Sequence, residues 1–395
     1  MLFGAGASLD YGAPSTGALT DLLRDAVLSD RWMRESGAAD AYARISSTLA
    51  DYYQGGEGAV NFEQIYHCAH ELIYARPPSA GAVDTFRPAL SPFVTAKVDL
   101  DERALVSLIG FMADTIFETM TCACARPASS LAPLARFLAD VRADCVTRIY
   151  TTNYDDFILQ SSPDLFTGFP EANVAAEVRR FDGRGFWAGF RRDCVFHLHG
   201  GVHLGFHNGD LGSRIGDLFW YDDREEAKRH ASYMGPGQRR LDGSQVQRSA
   251  IVTGLDKLSR LQSAPMSYYY ASFARDALAA DVIYIVGYGL GDVHLNNWLH
   301  EARAASHRTP LVFIDYWREG FAKTSAFDET NHRLIEMWHD LRMHLGYEPW
   351  RDDHSHDGWT LDAGGTCAVW DRGLAAFLGD LDHHAPVLRR LGVRP

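Results

Sequence analysis

Five short apolar runs rich in β-branched residues, at 146–152, 194–198, 250–253, 282–286 and 311–314, alternate along this chain with stretches of helical periodicity. That alternation constrains the fold most, because strands separated by helices build a mostly parallel sheet with both faces covered. At the N-terminus, Leu2-Phe3 reads as the end of a buried strand entering the glycine turn Gly4-Ala5-Gly6-Ala7-Ser8. Leu19, Leu22 and Leu23 then recur at helical spacing within 17–27. The expected class is α/β, with a Rossmann-like, mostly parallel sheet. Ligands on such sheets collect beyond the carboxyl ends of the strands. The residues that follow each run therefore matter most: Asn153-Tyr154-Asp155, His199-Gly200-Gly201, Gly287-Tyr288-Gly289 and Asp315.

Other stretches organise around that sheet. Between 31 and 139 apolar residues keep helical spacing, as in Phe62, Ile65, Tyr66 and Ala69, or Leu105, Leu108, Ile109 and Met112. Pro77, Pro78, Pro88, Pro92 and Pro127 divide this stretch into several helices. Residues 205–248 are glycine-rich, charged and aromatic without clear period, and read as an insertion or lid. The tail carries helical patterns at 330–345 and 373–391 and a strand signal at 367–370. The expected organisation is a core of 1–30 and 140–316, a helical insertion of 31–139, and a C-terminal extension of 317–395 for assembly or a partner.

At 395 residues the chain exceeds the roughly 250–300 that one core usually serves, which fits a main domain with accessory parts. A formal charge of -13 repels polyanions, so direct binding to nucleic acid or a membrane is not expected. No apolar run approaches the ~18 residues of a membrane span, and a cytoplasmic location is expected. The six cysteines are scattered. Cys122 and Cys124 are separated by one residue, whereas zinc sites space cysteine pairs by about two to four, so no metal site is expected. The run Asp353-His354-Ser355-His356-Asp357 reads as a solvated loop, and Tyr268-Tyr269-Tyr270 as packing.

Each polar motif also has a bland reading. Gly4-Ala5-Gly6-Ala7-Ser8 suits close approach to a pyrophosphate at a helix start, but a plain tight turn explains it as well. Thr151-Thr152-Asn153-Tyr154-Asp155-Asp156 is equally a helix cap. His197 and His199 alternate onto one face of a strand end, and His197 suits a satisfied core histidine better than His199 does. A histidine exchanges protons near neutral pH. Asp315, at the end of its strand, offers a carboxylate to ribose hydroxyls.

Taken in order, Gly-Ala-Gly-Ala-Ser, Thr-Thr-Asn-Tyr-Asp, Leu-His-Gly-Gly and Gly-Tyr-Gly-Leu-Gly-Asp-Val-His resemble the sirtuin-like family in its divergent bacterial branch. The resemblance covers about 1–30 and 146–316. It implies that Asn153 and Asp155 match the Asn and Asp of the sirtuin Gln-Asn-Ile-Asp motif, with Thr152 in place of the glutamine. It makes His199 the catalytic histidine and Gly4, Ala5, Gly6, Ala7 and Ser8 the phosphate loop. Gly287, Gly289 and Asp315 fall where that family holds the adenosine half of NAD, and Tyr288 and Asp292 of the same loop are expected to bind the cofactor as well.

The departures are informative. No cysteine lies between Gly200 and Asp281, where protein-deacylating sirtuins carry a four-cysteine zinc module. Ala13-Pro14-Ser15-Thr16 stands where an arginine is expected. The resemblance therefore implies an NAD+ hydrolase without zinc, using NAD+ as substrate. A protein deacylase, an ADP-ribosyltransferase and a non-catalytic NAD or ADP-ribose sensor are the alternatives. It further implies a homo-oligomeric, NAD-depleting effector of phage defence, of the kind paired in some cases with a HerA-type ATPase.

Overall fold

The computed structural model describes residues 1–53, 60–74, 100–170, 178–188, 191–207, 217–239, 245–254, 264–306, 308–321, 332–339, 341, 355–356, 358–362 and 365–393. Its strands, numbered in chain order, are β1 (Leu2–Phe3), β2 (Arg148–Thr151), β3 (Val178–Arg180), β4 (Cys194–His197), β5 (Leu204–Phe206), β6 (Leu218–Tyr221), β7 (Ser232–Arg239), β8 (Gln245–Ser249), β9 (Ile283–Val286), β10 (Leu311–Ile314), β11 (Ser355–His356), β12 (Trp359–Leu361) and β13 (Cys367–Trp370).

The main sheet has the order β11-β12-β13-β10-β9-β1-β2-β4. Pairing is parallel from β13 through to β4 and antiparallel at β11-β12-β13. Every residue of β4, β9, β10 and β13 is buried, which explains why these strands read as unbroken apolar runs and not as alternating ones. The two-residue β1 is central, with β2 on one side and β9 on the other. The chain thus leaves β1 toward β2 and later returns to its opposite side at β9. That reversal opens a crevice beyond the carboxyl ends of the three strands.

Two strand expectations need correction. The run 250–253 adds no strand to the main sheet; Ile251 makes only an isolated antiparallel bridge to Gly200. Gly200 has φ +85, and a Cβ there would lie 1.9 Å from the carbonyl oxygen of Ala250. The glycine lets that segment cross the end of β4, with the Val252 amide donating to the carbonyl of His199 at 2.8 Å. The tail, expected outside the core, supplies β13 as the parallel neighbour of β10 over four residue pairs. A fully buried apolar run needs a sheet partner for its backbone groups, and β10 provides one.

The helical stretch packs around Glu102–Ala125, which buries Leu105, Leu108, Met112, Ile116, Phe117 and Met120 against Thr16–Ser29, Ala38–Tyr52 and Phe62–Tyr74. Among the described residues it is the one helix long and apolar enough to cross a membrane, contrary to the expectation that no run came near that length. Much of its apolar surface is buried in the bundle. The described parts of 205–248 supply most of β5 and all of β6, which join the earlier β3 in the antiparallel sheet β3-β6-β5, together with the β7-β8 hairpin and the helix Arg224–Arg229. Pro77, Pro78, Pro88, Pro92, Asp353, His354 and Asp357 lie outside the described residues.

Candidate functional site

The loop after β1 and the loop after β9 interlock. The amide of Gly4 donates to Val286 O at 2.9 Å, and that of Gly6 to Gly287 O at 2.8 Å. A Cβ on Gly4 would lie 2.5 Å from Tyr288 Cα, one on Gly6 2.9 Å from Gly287 Cα, and one on Gly287 2.1 Å from the Ala7 nitrogen. These glycines therefore serve backbone-to-backbone packing. The amides of Ala7 and Ser8 donate to Gly4 O and Ala5 O, so the loop is a tight 3-10 turn over Ala5–Ala7. The amides of Gly4, Gly6, Ala7 and Ser8 are all engaged within the chain, which departs from the open phosphate loop the resemblance implies.

That turn sets Ser8 against the end of β2. Asn153 Nδ2 donates to Gly4 O at 2.9 Å and to Ser8 Oγ at 2.7 Å, and Ser8 Oγ donates to Asp155 Oδ2 at 2.6 Å. A carbonyl can only accept, so the contact with Gly4 O fixes which end of the Asn153 amide is the nitrogen. Asn153 Oδ1 is then buried with no hydrogen-bond partner among the described residues. The Asn153 amide nitrogen on the backbone donates to Thr151 Oγ1 at 3.0 Å, which holds the turn. Burial pushes the Asp155 carboxyl up from its ordinary 3.8 to about 6, against the opposing hydrogen bonds from Ser8 and the Phe157 amide.

The two histidines separate by role. His197, the last residue of β4, places Nε2 2.9 Å from Asp155 O, and burial pulls its pKa down to about 4. It is the neutral, satisfied core histidine that the sequence favoured at that position. His199, also buried, lies in the turn beyond the strand with Nε2 3.8 Å from Asp292 Oδ1. His294 joins them: donor atoms of His199, Asp292 and His294 all lie within 4.8 Å of one another. Tyr270 Oη is 2.9 Å from Nε2 of His294, so one tyrosine of the triplet read as packing also positions a site histidine. Tyr269 does pack, stacked on Phe196 at 4.7 Å.

A cavity of about 260 Å³ collects these groups, lined by Ala5, Ser8, Thr152, Asn153, Asp155, His199, Tyr288, Gly289, Gly291 and Asp292. Its size is near the lower end for small-molecule sites, about 300 Å³. Ala13, Pro14 and Thr16 also line it, so small side chains occupy the stretch where the resemblance expected an arginine. Sequence reasoning missed Phe62, Glu63 and Met120, which reach the cavity from the helical stretch. That stretch is thus part of the site and not only an accessory. Its residues carry no signal beyond helical period, which the core of any bundle would give.

Four residues assigned by resemblance stand behind the cavity rather than on its wall: Gly4, Gly6, Ala7 and Gly287. Asp315 is elsewhere again, ion-paired with Arg333 of the helix His332–His339. The guanidinium of Arg333 also lies 4.4 Å from the Trp317 ring centre. Beside the site, Asp156 binds His203 Nε2 at 2.9 Å and Arg224 Nη1 at 3.1 Å. Burial alone would raise its pKa, but His203, Gln160 and Arg224 hold it down at about 2. This buried cluster ties the segments that flank β5 and β6 of the three-stranded sheet to the loop after β2.

Gly289 and Gly291 differ from the packing glycines, because a Cβ on either would meet nothing within 4 Å. The fold has room for a side chain at both positions, and both line the cavity. Gly289→Val is expected to weaken binding of whatever ligand this cavity takes by about tenfold, since added bulk in a fitted site costs about 1–3 kcal/mol. Its melting temperature should stay that of the parent. Calorimetric titration with NAD beside thermal denaturation checks this, and an affinity equal to the parent's would remove Gly289 from the ligand wall.

No curated protein matches the chain. A family model does: the SIR2-like domain matches residues 147–335, a span that contains Asn153, Asp155, His199 and the Gly287–Asp292 loop, and it supports a sirtuin-like family with NAD-related chemistry for this chain.

Proposed function

We propose that this protein is an NAD+ hydrolase that cleaves the bond between nicotinamide and ribose, giving nicotinamide and ADP-ribose. The observation that carries the reading is Asn153 Oδ1: a buried acceptor without a partner among the described residues, on the wall of a cavity that also holds Asp155 and His199. An unpaired buried acceptor costs about 1–3 kcal/mol, and a ribose hydroxyl or a water donating to it would remove that cost.

The chemistry follows from the bond. As nicotinamide departs with the bonding electron pair, positive charge builds on the ribose in an oxocarbenium-like transition state. Asn153 holds a ribose hydroxyl or the attacking water, and its amide is already oriented by Gly4 and Ser8. Asp155 orients the nicotinamide carboxamide. His199 accepts the proton of the water as its oxygen bonds to the ribose carbon, and Asp292, 3.8 Å away, steadies the imidazolium that results. The cysteine module that carries zinc in deacylating sirtuins has no counterpart between Gly200 and Asp281, and none of these steps calls on a metal.

The test compares the parent with His199→Ala. Losing a general base lowers turnover by about a hundredfold to ten-thousandfold, while NAD binding, read by calorimetry, should persist. Turnover within a few-fold of the parent would remove His199 from the mechanism.

We further infer that the activity depletes NAD in phage defence, in a homo-oligomer that docks a partner such as a HerA-type ATPase. Trp32, Tyr52 and Tyr53 stand exposed on the helical stretch, and large exposed aromatics suit an interface. A specific contact should bury more than about 1,000 Å², which light scattering and cross-linking of the full chain would detect as a defined oligomer.

A further inference from the structure

His199, Asp292 and His294 come from different places in the chain. His199 sits beyond β4, while Asp292 stands just before the helix Val293–Ala305 with no side-chain bond to its first turn, and His294 lies in that turn. Two imidazoles and one carboxylate, with donor atoms all within 4.8 Å of one another, are the donor set of open three-ligand transition-metal sites. Zinc bonds to such donors are about 2.0–2.2 Å, so small side-chain rotations from the 3.8 Å His199–Asp292 spacing would close the set. A ligating histidine commonly bonds through its other ring nitrogen to an outer partner, which fixes the ring. Tyr270 Oη, 2.9 Å from Nε2 of His294, can accept a hydrogen bond from that nitrogen and leave the Nδ1 lone pair for a cation. The three residues meet where His199 and Asp292 line the cavity.

We propose that His199, Asp292 and His294 form a binding site for a divalent transition-metal cation of the zinc class, and that an occupied site silences the hydrolase. A cation takes the ring lone pair of His199, the same pair that accepts the proton of water. Metal and base function therefore exclude each other. The first half of the proposal concerns the triad alone; the silencing rests on the hydrolase reading above.

The metal half is tested with Co2+ as a spectroscopic probe. The full chain, stripped with a chelator, is titrated with Co2+ beside His294→Ala and Asp292→Asn, each shown to be folded by thermal denaturation. The parent should take up one Co2+ per chain with visible ligand-field absorption, and zinc should displace it. Each variant should bind more weakly by at least about tenfold. No visible band in the parent, or equal affinity in both variants, would overturn the site. Silencing is read separately, as the ratio of NAD turnover with and without stoichiometric Zn2+. That ratio should fall well below one for the parent, recover with chelator, and stay near one for His294→Ala. A ratio at or above one for the parent would overturn the silencing. A metal-free parent that does not cleave NAD at all would sink the hydrolase reading and the silencing, and leave the Co2+ result to stand by itself.

Discussion

Asn153→Ala should lower NAD cleavage by at least about a hundredfold, because the group proposed to place the ribose or the water is lost and small misplacements of reacting atoms cost that much. The fold should barely notice. Gly4 O keeps its bond from the Ala7 amide, Ser8 Oγ keeps its bond to Asp155, and the backbone of residue 153 keeps Thr151 Oγ1. A loss of about 1 kcal/mol is small against a domain stability of about 5–15 kcal/mol. Single-turnover kinetics together with a denaturant titration separates the two effects. Turnover near that of the parent would place the reactive ribose elsewhere.

The second large effect is on stability, and it runs against activity. Burial raises the Asp155 pKa from 3.8 to about 6, so the folded chain favours the protonated acid. Below about pH 4 folded and unfolded chains both carry that proton, and no penalty exists. As pH rises to about 6 the unfolded chain releases its proton first and stability falls; above 6 the full penalty of about 3 kcal/mol remains. Asp155→Asn removes the buried charge. It should therefore raise the melting temperature near about pH 7.5 and give no gain near about pH 4, while NAD cleavage drops sharply. A carboxylate kept at such a cost is the pattern expected of a functional site. If the variant is no more stable than the parent at neutral pH, the burial argument for Asp155 fails.

The parallel sheet was legible because its strands are buried on both faces and so appear as short apolar runs. β4, β9 and β10 lie inside the runs read at 194–198, 282–286 and 311–314. The strand at 367–370 was also legible, but its neighbour was not: four buried residues give no sign of which strand they pair with, and β13 lies against β10. In the site, Ser8, Thr152, Asn153, Asp155, His199, Tyr288, Gly289 and Asp292 converge on one cavity.

What sequence could not resolve is why a residue type is present. A glycine required by loop packing, such as Gly4 or Gly287, has the same letter as one left open toward a ligand, such as Gly289. The two are told apart only by what a Cβ would meet. Asp315 looked available at its strand end, but Arg333, eighteen positions later in number, pairs with it. His294 lay inside the quoted Gly-Asp-Val-His motif without drawing attention, since its relation to His199 exists only once β4 and the helix Val293–Ala305 are neighbours in space.

The most direct test of the account is product analysis. Purified, chelator-treated protein is incubated with NAD+ in the absence of any acyl-lysine or protein acceptor, and the products are followed by mass spectrometry. The account predicts nicotinamide and free ADP-ribose in equal amounts, abolished by Asn153→Ala. Nicotinamide that appears only when an acyl-lysine peptide or another acceptor is added, or tight NAD binding with no nicotinamide released under any of these conditions, would contradict it.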